Sequence, residues 1–323
     1  MLKKNIELSI VVPVYNEEEN IAIFFDRIHK ICEKILQTDQ NYELIFVMDP
    51  SEDKSEDIIK KYCQNNKNVS LIKMSRRFGQ AACTIAGIEN SSGNYCVVID
   101  VDLQDPPEII ENLYKKIING YDVVSAKRNS RSGINFFYKS LTYLGYKFIN
   151  TFSDTKIPEN TGDFRIFNRK IIKHLSNLSE KHNFLRGLVS FIGFKQTQIL
   201  YDRQERYKGE GHYSKIFGSL KISVNGLVCY SNFLLNFVFW LGLSIAIFTC
   251  LLSIFLILNV YFGSRIYPIG LSSIILSILF IGGVQLISLG IVGQYIARIY
   301  DETKNRPKYI IDEKINFINT NDD

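Results

Sequence analysis

The sequence predicts an α/β fold, a doubly wound, mostly parallel sheet followed by interfacial helices and a two-span transmembrane helical hairpin. Three observations carry this expectation. Short strands that are apolar on both parities alternate with helical segments through residues 1–213. One of those strands runs directly into closely spaced carboxylates, Asp100 and Asp102. Two later stretches, residues 222–264 and 266–297, contain no Asp, Glu, Lys or Arg. The division follows: a domain over 1–213, an interfacial amphipathic helix over 214–232, two spans within 233–297 and a C-terminal tail over 298–323.

Leu8–Val14 reads as a strand buried on both faces, the pattern of a parallel sheet. Asn16 is expected to cap the next helix, whose Ile21, Phe24, Phe25, Ile28 and Ile35 fall on one stripe. Tyr42–Met48 is the second strand and ends at a polar turn, Asp49-Pro50-Ser51-Glu52-Asp53, before a helix around Ile58 and Ile59. Val69–Met74 is the third, followed by Ser75-Arg76-Arg77-Phe78-Gly79 and a small-residue helix through Ile88. A strand at 95–99, a helix and a strand at 122–126 come next, and the later part alternates less regularly. Repeated strand–helix units with short connections are what a doubly wound sheet requires.

Buried parallel strands deliver their C-terminal residues into the ligand crevice of an open sheet, so Asp100 and Asp102 are expected to face a pocket. Carboxylates one residue apart project to the same side of an extended chain and repel unless a positive charge lies between them. A hard cation such as Mg2+ suits them, since it takes one or two carboxylates and completes its shell with water and phosphate oxygens. An Asp-rich turn closing a strand is the other reading of the same spacing. Asp105, with Pro106, Pro107 and Glu108 behind it, reads as the N-cap of a helix with a capping-box acid.

The densest apolar parts, 233–262 and 269–296, exceed the roughly 20 residues that a bilayer crossing needs. Lys215 and Lys221 precede the first, Arg298, Lys304, Arg306 and Lys308 follow the second, and the connection between them holds only Arg265. This asymmetry places the domain and both termini in the cytoplasm, in a multi-pass inner (cell) membrane protein. The short apolar run after Met1-Leu-Lys-Lys does not read as a signal peptide. Within 214–230, Ile216, Phe217, Leu220, Val224, Leu227 and Val228 share a face, which suits a helix lying on the membrane or an ordinary amphipathic core helix.

The six cysteines show no Cys-x-x-Cys spacing and the four histidines no ligand spacing, so neither a zinc site nor a disulfide framework is indicated. A formal charge of +5 fits docking on an anionic leaflet. Without an aromatic-interleaved basic stripe, nucleic acid is not an expected partner.

Taken together, these residues resemble the inverting family 2 glycosyltransferases, and within them the polyprenyl-phosphate sugar transferases of the dolichol-phosphate mannose synthase and bactoprenol glucosyltransferase type. Ile10-Val-Val-Pro-Val-Tyr15-Asn16-Glu17-Glu18 resembles the opening nucleotide-binding strand, and Asp100-Val-Asp102-Leu-Gln-Asp105-Pro-Pro-Glu108 the metal motif with its subfamily extension. Gly162-Asp163-Phe164-Arg165 resembles the acceptor-side motif, and Gly293-Gln294-Tyr295 with Asn305-Arg306-Pro307 the end of the membrane hairpin.

The resemblance implies a GT-A-like domain that moves one sugar from a nucleotide sugar, UDP-glucose first, to polyprenyl (undecaprenyl) phosphate, giving a lipid-linked donor for cell-envelope glycans. It implies Mg2+ or Mn2+ on Asp100 and Asp102, and a donor site of Pro13, Tyr15, Glu17, Asp49, Asp100 and Gln104. Asp163 joins the catalytic set as a base or positioning group, a turn acid being its plainer reading, and Arg165, Arg203, Arg206 and Lys215 are assigned to the acceptor phosphate. Assembly into a homo-oligomer is compatible with the small footprint of two spans.

Two places depart from the family pattern. Met48-Asp49-Pro50-Ser51 stands where Asp-Asp-Gly-Ser is usual, which leaves UDP versus GDP open, and Arg206 to Lys215 stretches the usual Arg-x-x-Gly-x-Ser-Lys spacing. Two alternatives remain, a processive polysaccharide synthase of the same fold and a catalytically idle membrane scaffold.

Overall fold

A computed structural model of the 323-residue chain describes residues 6–37, 41–129, 161–178, 180, 185–204, 233–261 and 271–317. These residues fall into two compact units, one holding an eight-stranded sheet and its helices, the other two long helices.

In the first unit the elements run β1 (Leu8–Val14), α1 (Glu18–Leu36), β2 (Tyr42–Met48), α2 (Ser55–Asn65), β3 (Val69–Met74), α3 (Gln80–Glu89), β4 (Tyr95–Val98), α4 (Ile109–Ile118) and β5 (Val123–Arg128). They continue with β6 (Thr161–Asn168), α5 (Arg169–Asn177), α6 (Leu185–Ile192) and β7 (Gln196–Tyr201). The second unit holds α7 (Phe233–Tyr261) and α8 (Leu271–Thr303), after which β8 (Ile311–Ile315) rejoins the sheet.

The strand order is β7-β5-β6-β4-β1-β2-β3-β8. β4, β1, β2 and β3 are parallel neighbours, and β1 and β2 are buried along their whole length, as expected of strands covered on both faces. Even-numbered β1 residues pack with α1, α2 and α4 through Ile21, Phe24, Ile59 and Leu113. Val11 packs on the opposite face with α3, α5 and α6 through Ile85, Ile172 and Leu188. At Gly87 of α3 an added Cβ would stand 2.2 Å from Val11 Cγ1, so only glycine lets α3 lie this close to β1.

The sheet is mostly parallel, as expected, but mixed: β6 and β8 run against the other strands. β6 inserts antiparallel between β4 and β5, and β8 pairs antiparallel with β3. The reversal at β6 brings its first residues to the end of the sheet where β1 to β5 and β7 finish. Residues 311–315, which fall within the expected C-terminal tail, form an edge strand of the sheet beside β3. Asn316 fastens that strand by donating to the carbonyls of Cys63 (2.6 Å) and Val69 (2.9 Å).

Two helix starts differ from expectation. Asn16 adopts a left-handed conformation (φ 53°), and its Oδ1 accepts from the Glu52 amide (2.9 Å) instead of capping α1. Asp53 does the capping across the loop, accepting from the Glu18 amide at 3.0 Å, while Glu18 accepts from the Lys54 amide at 2.8 Å. Helix α4 begins at Ile109, and Asp105 does not cap it.

Among the described residues one stretch, Phe280–Thr303 of α8, is long and apolar enough to cross a membrane, and α7 contributes a shorter apolar stretch, Leu235–Ile245. The interfacial helix expected over 214–232 lies outside the described residues.

Candidate active site

The crevice lies where the chain leaves β1, β2, β4, β5 and β7 and enters β6. Asp100, two residues beyond β4, is partly exposed, and its Oδ1 accepts from Gln80 Nε2 at 2.7 Å. Burial pushes its carboxyl up to about 7, and the charges of Asp102, Asp105 and Asp163 add to the push. Asp102 is also partly exposed, and its Oδ1 accepts from the Gln104 amide at 3.1 Å across Leu103, which is held at φ 59°. Crowded carboxylates at an open sheet end are a site in want of a cation. Among the described residues no three His, Cys, Asp or Glu side chains gather as a complete ligand set. A cation here would take Asp100 and Asp102 and draw its other ligands from water and phosphate, as Mg2+ commonly does.

Asp163 reaches the same place from the start of β6. The pairing of Val98 with Arg165 fixes that strand beside β4, and Arg165 and Asp163, two apart, lie on one face of it. Asp163 Oδ1 accepts from Arg186 Nε of α6 at 3.0 Å. Burial by itself raises its carboxyl, but Arg186 and Arg165 outweigh that and hold it below the usual carboxylate range. Arg165 is 2 % exposed and donates to the Gly162 carbonyl at 2.6 Å, and burial lowers its guanidinium to about 10. Its Nε has no hydrogen-bond partner.

Asp105 is 1 % exposed and sits at the centre of an ion cluster. The Tyr201 hydroxyl donates to it and itself accepts from Arg128 Nε at 3.1 Å. Arg128 Nη2 lies 3.3 Å and Arg203 Nε 3.5 Å from the same carboxylate. Arg203 Nη2 also donates to Gln104 Oε1 at 2.6 Å, so two of the sequence-selected residues meet directly. A carboxylate this deep is tolerable because cations and a hydroxyl surround it. Its helix-cap reading failed because those partners outbid a backbone amide.

At the other side of the crevice, Pro13 is buried within β1 opposite Val47, and Tyr15 follows the strand. The Arg77 guanidinium stacks on the Tyr15 ring at 4.0 Å and donates to its hydroxyl at 3.2 Å. Glu17 turns toward α1, where its Oε2 accepts from Asn20 at 2.6 Å. Asp49 is buried, and its two oxygens accept from the amides of Phe78 (3.0 Å) and Gly79 (2.8 Å). Its evident work is to anchor the loop that starts α3 and thereby Gln80, so a base contact from Asp49 would compete with those bonds. A separate cavity of about 320 Å3 opens at the start of α1, lined by Glu17, Glu18, Glu52 and Asp53 among others. Five of its seven lining side chains are acidic, which is wrong for a pyrophosphate. Arg206 and Lys215 lie outside the described residues.

Residues 9–176 match the family described as Glycosyl transferase family 2. The chain belongs to glycosyl transferase family 2. The glycosyltransferase is 40% identical over 310 residues to "Uncharacterized glycosyltransferase YkcC" of Bacillus subtilis, covering 96% of this chain and 94% of that one. It is 36% identical over 308 residues to "Bactoprenol glucosyl transferase" of Shigella phage SfII, covering 94% and 97%. Among solved structures, a mannosyltransferase from Pyrobaculum calidifontis in complex with GDP-Man and Mn2+ aligns at a TM-score of 0.43 and 14% identity, covering 92% of this chain and 85% of that one.

In this glycosyltransferase the structure brings Asp100, Asp102, Gln104, Asp163, Arg165 and Arg203 to one end of the sheet. Sequence reasoning missed Gln80 and Arg186, which hold Asp100 and Asp163, and Arg128 and Tyr201, which hold Asp105. Arg128 and Tyr201 close their strands at the crevice end, and that position was the available signal.

Proposed function

We propose that this glycosyltransferase is a membrane-embedded inverting enzyme that moves one sugar from a nucleotide sugar, UDP-glucose first, to polyprenyl phosphate, giving a lipid-linked sugar for cell-envelope glycans. The observation that carries the reading is the juxtaposition of a carboxylate pair with a set of arginines across β4 and β6. Similarity over nearly the whole chain to a protein named bactoprenol glucosyl transferase supports the acceptor class.

Nucleotide sugar and lipid phosphate are both anionic, so the enzyme must draw two negative groups together. Mg2+ or Mn2+ on Asp100 and Asp102 would neutralise charge developing on the departing nucleoside diphosphate. Gln80 orients Asp100, and the Gln104 backbone amide orients Asp102. Arg165 and Arg203, with Arg206 and Lys215, receive the acceptor phosphate through charge-assisted hydrogen bonds. Attack of a phosphate oxygen on the anomeric carbon forms the new bond as the bond to the nucleoside diphosphate breaks. A phosphate monoester has a second pKa of about 6 and is already mostly dianionic at neutral pH. It hardly needs a base, and Asp163, held ionised by Arg186 and Arg165, acts by positioning those arginines.

The reading includes a two-span hairpin made by α7 and α8, with the sheet domain on the cytoplasmic side. The exposed faces of these helices carry Phe239, Trp240, Phe248, Leu286 and Leu289, an apolar surface that suits lipid rather than water. The test is to mix purified protein with radiolabelled UDP-glucose, Mg2+ and undecaprenyl phosphate. A lipid-soluble product bearing one sugar is expected. A long polymer would select a processive synthase, and no transfer from any of a panel of nucleotide sugars would select an idle scaffold.

A further inference from the structure

Asp105 has no part in the chemistry above, yet it is buried, charged and held by three side chains. The loop it closes does not support itself. Leu103 is held at φ 59°, a left-handed conformation that a non-glycine residue keeps only when its surroundings impose it.

Those surroundings are supplied from β5 and β7. The Tyr201 hydroxyl stands between Arg128 and Asp105, accepting from one and donating to the other. Two residues on, Arg203 reaches both Asp105 and the Gln104 side chain, and the Gln204 amide donates to the Gln104 carbonyl at 2.9 Å. The far side of the loop is therefore fixed at Asp105 and twice at Gln104. On its near side the Gln104 amide donates to Asp102, so the setting of the loop decides where that carboxylate points.

We propose that Tyr201 and Asp105 are positioning residues that set the Asp100–Asp105 loop for a divalent cation and hold Arg203 beside it. This rests on the metal-dependent transferase reading above.

The experiment uses the full chain in detergent micelles. Mn2+ is titrated in the presence of UDP, and free Mn2+ is read from its electron paramagnetic resonance signal. Tyr201→Phe removes one hydroxyl and keeps the ring, which packs edge-on against Phe164 with centroids 6.1 Å apart, so the fold is retained. Its Mn2+ binding is expected to weaken about tenfold, the usual size of an effect from a group that orients a metal ligand. Asp105→Asn should weaken it at least as much. Tyr114→Phe removes a comparable hydroxyl, bonded to Glu7 at 3.1 Å away from the loop, and should bind Mn2+ as the wild type does.

A Tyr201→Phe protein that melts earlier but binds Mn2+ with wild-type affinity would overturn the proposal, leaving Tyr201 a purely structural residue. If Asp105→Asn fails to fold, Tyr201→Phe decides alone. Wild-type protein that binds Mn2+ but transfers no sugar would sink the transferase reading, and weakened binding in Tyr201→Phe would still support the positioning pair. Wild-type protein that binds no Mn2+ overturns both.

Discussion

Replacing Asp163 with Asn should slow the reaction without changing which ionisation limits it. In the wild type, Arg186 Nε lies 3.0 Å from Asp163, and the carboxyl is held below its ordinary value of 3.8. A base weaker than this acceptor, whose second pKa is about 6, would have to take up its proton against a difference of at least about 2 pK units, or about 3 kcal/mol. Waiting for the dianion, which predominates at pH 7, is the easier course. The plot of kcat/KM against pH should accordingly show a limb near pH 6 in wild type and in Asp163→Asn alike. The plateau should fall about 10- to 100-fold, because Asn leaves Arg165 and Arg186 facing each other without the intervening charge, at a cost of about 1–3 kcal/mol. The assay is initial-rate transfer to a soluble short-chain prenyl phosphate from pH 5 to 8. Loss of the limb together with a fall of about 10⁴ would refute the reasoning and make Asp163 a general base.

Asp102→Asn should abolish transfer while the protein still inserts into membranes, measured by product formation and by resistance to carbonate extraction; activity retained under strict chelation would contradict the metal assignment. Gly87→Ala should destabilise the sheet domain by about 1–3 kcal/mol, the usual cost of overpacking, because its Cβ would collide with Val11; an unchanged denaturation midpoint would show that α3 can move off β1. Burial raises the Glu43 carboxyl above its ordinary 4.5, outweighing the bonds it accepts from Ser9 and the loop amides. An acid with a raised folded value binds more protons folded than unfolded, so wild-type stability falls as pH rises from about 4.5 through that value. Glu43→Gln cannot ionise, and its melting temperature relative to wild type should climb over the same window; a flat difference would remove Glu43 as the cause.

What the sequence disclosed depended on how far each residue's partners lie along the chain. β1 and β2 are legible because burial on both faces writes itself into every position. The α1 stripe is legible for the same reason, and Asp100 and Asp102 because carboxylates closing an apolar strand are locally costly. Asp105 was misread because Asp-Pro-Pro-Glu satisfies every local rule for a helix start, while its actual partners, Arg128 and Tyr201, stand 23 and 96 residues away. Asn16 failed likewise, since its contact with Glu52 crosses between neighbouring loops. β8 carries a period-two burial pattern, but five residues after a long apolar helix offer little to distinguish an edge strand from a tail.

In the proposed reaction, the distribution of charge would let one crevice serve two anions. Asp100, Asp102, Asp105 and Asp163 bring four carboxylates to one end of the sheet, and Arg128, Arg165, Arg186 and Arg203 bring four guanidinium groups. They are not intermixed at random. Asp105 is matched to Arg128 and Arg203, and Asp163 to Arg186, so those acids are neutralised by the protein itself. Asp100 accepts from a neutral amide donor, Gln80, and its carboxyl rises to about 7 through burial and the three other acids beside it. The uncompensated charge therefore falls where, in the proposed reaction, the donor's leaving group would need a cation. The positive charge of Arg165, which is buried with its Nε unpartnered, falls on the β6 side. Exchanging the two sides, by placing an arginine at position 100 or a carboxylate at position 165, should eliminate transfer in different ways. The first would remove Mn2+ binding, and the second would leave Mn2+ binding intact while raising the KM for lipid phosphate; equal effects of both on Mn2+ would show that the crevice is one undivided field.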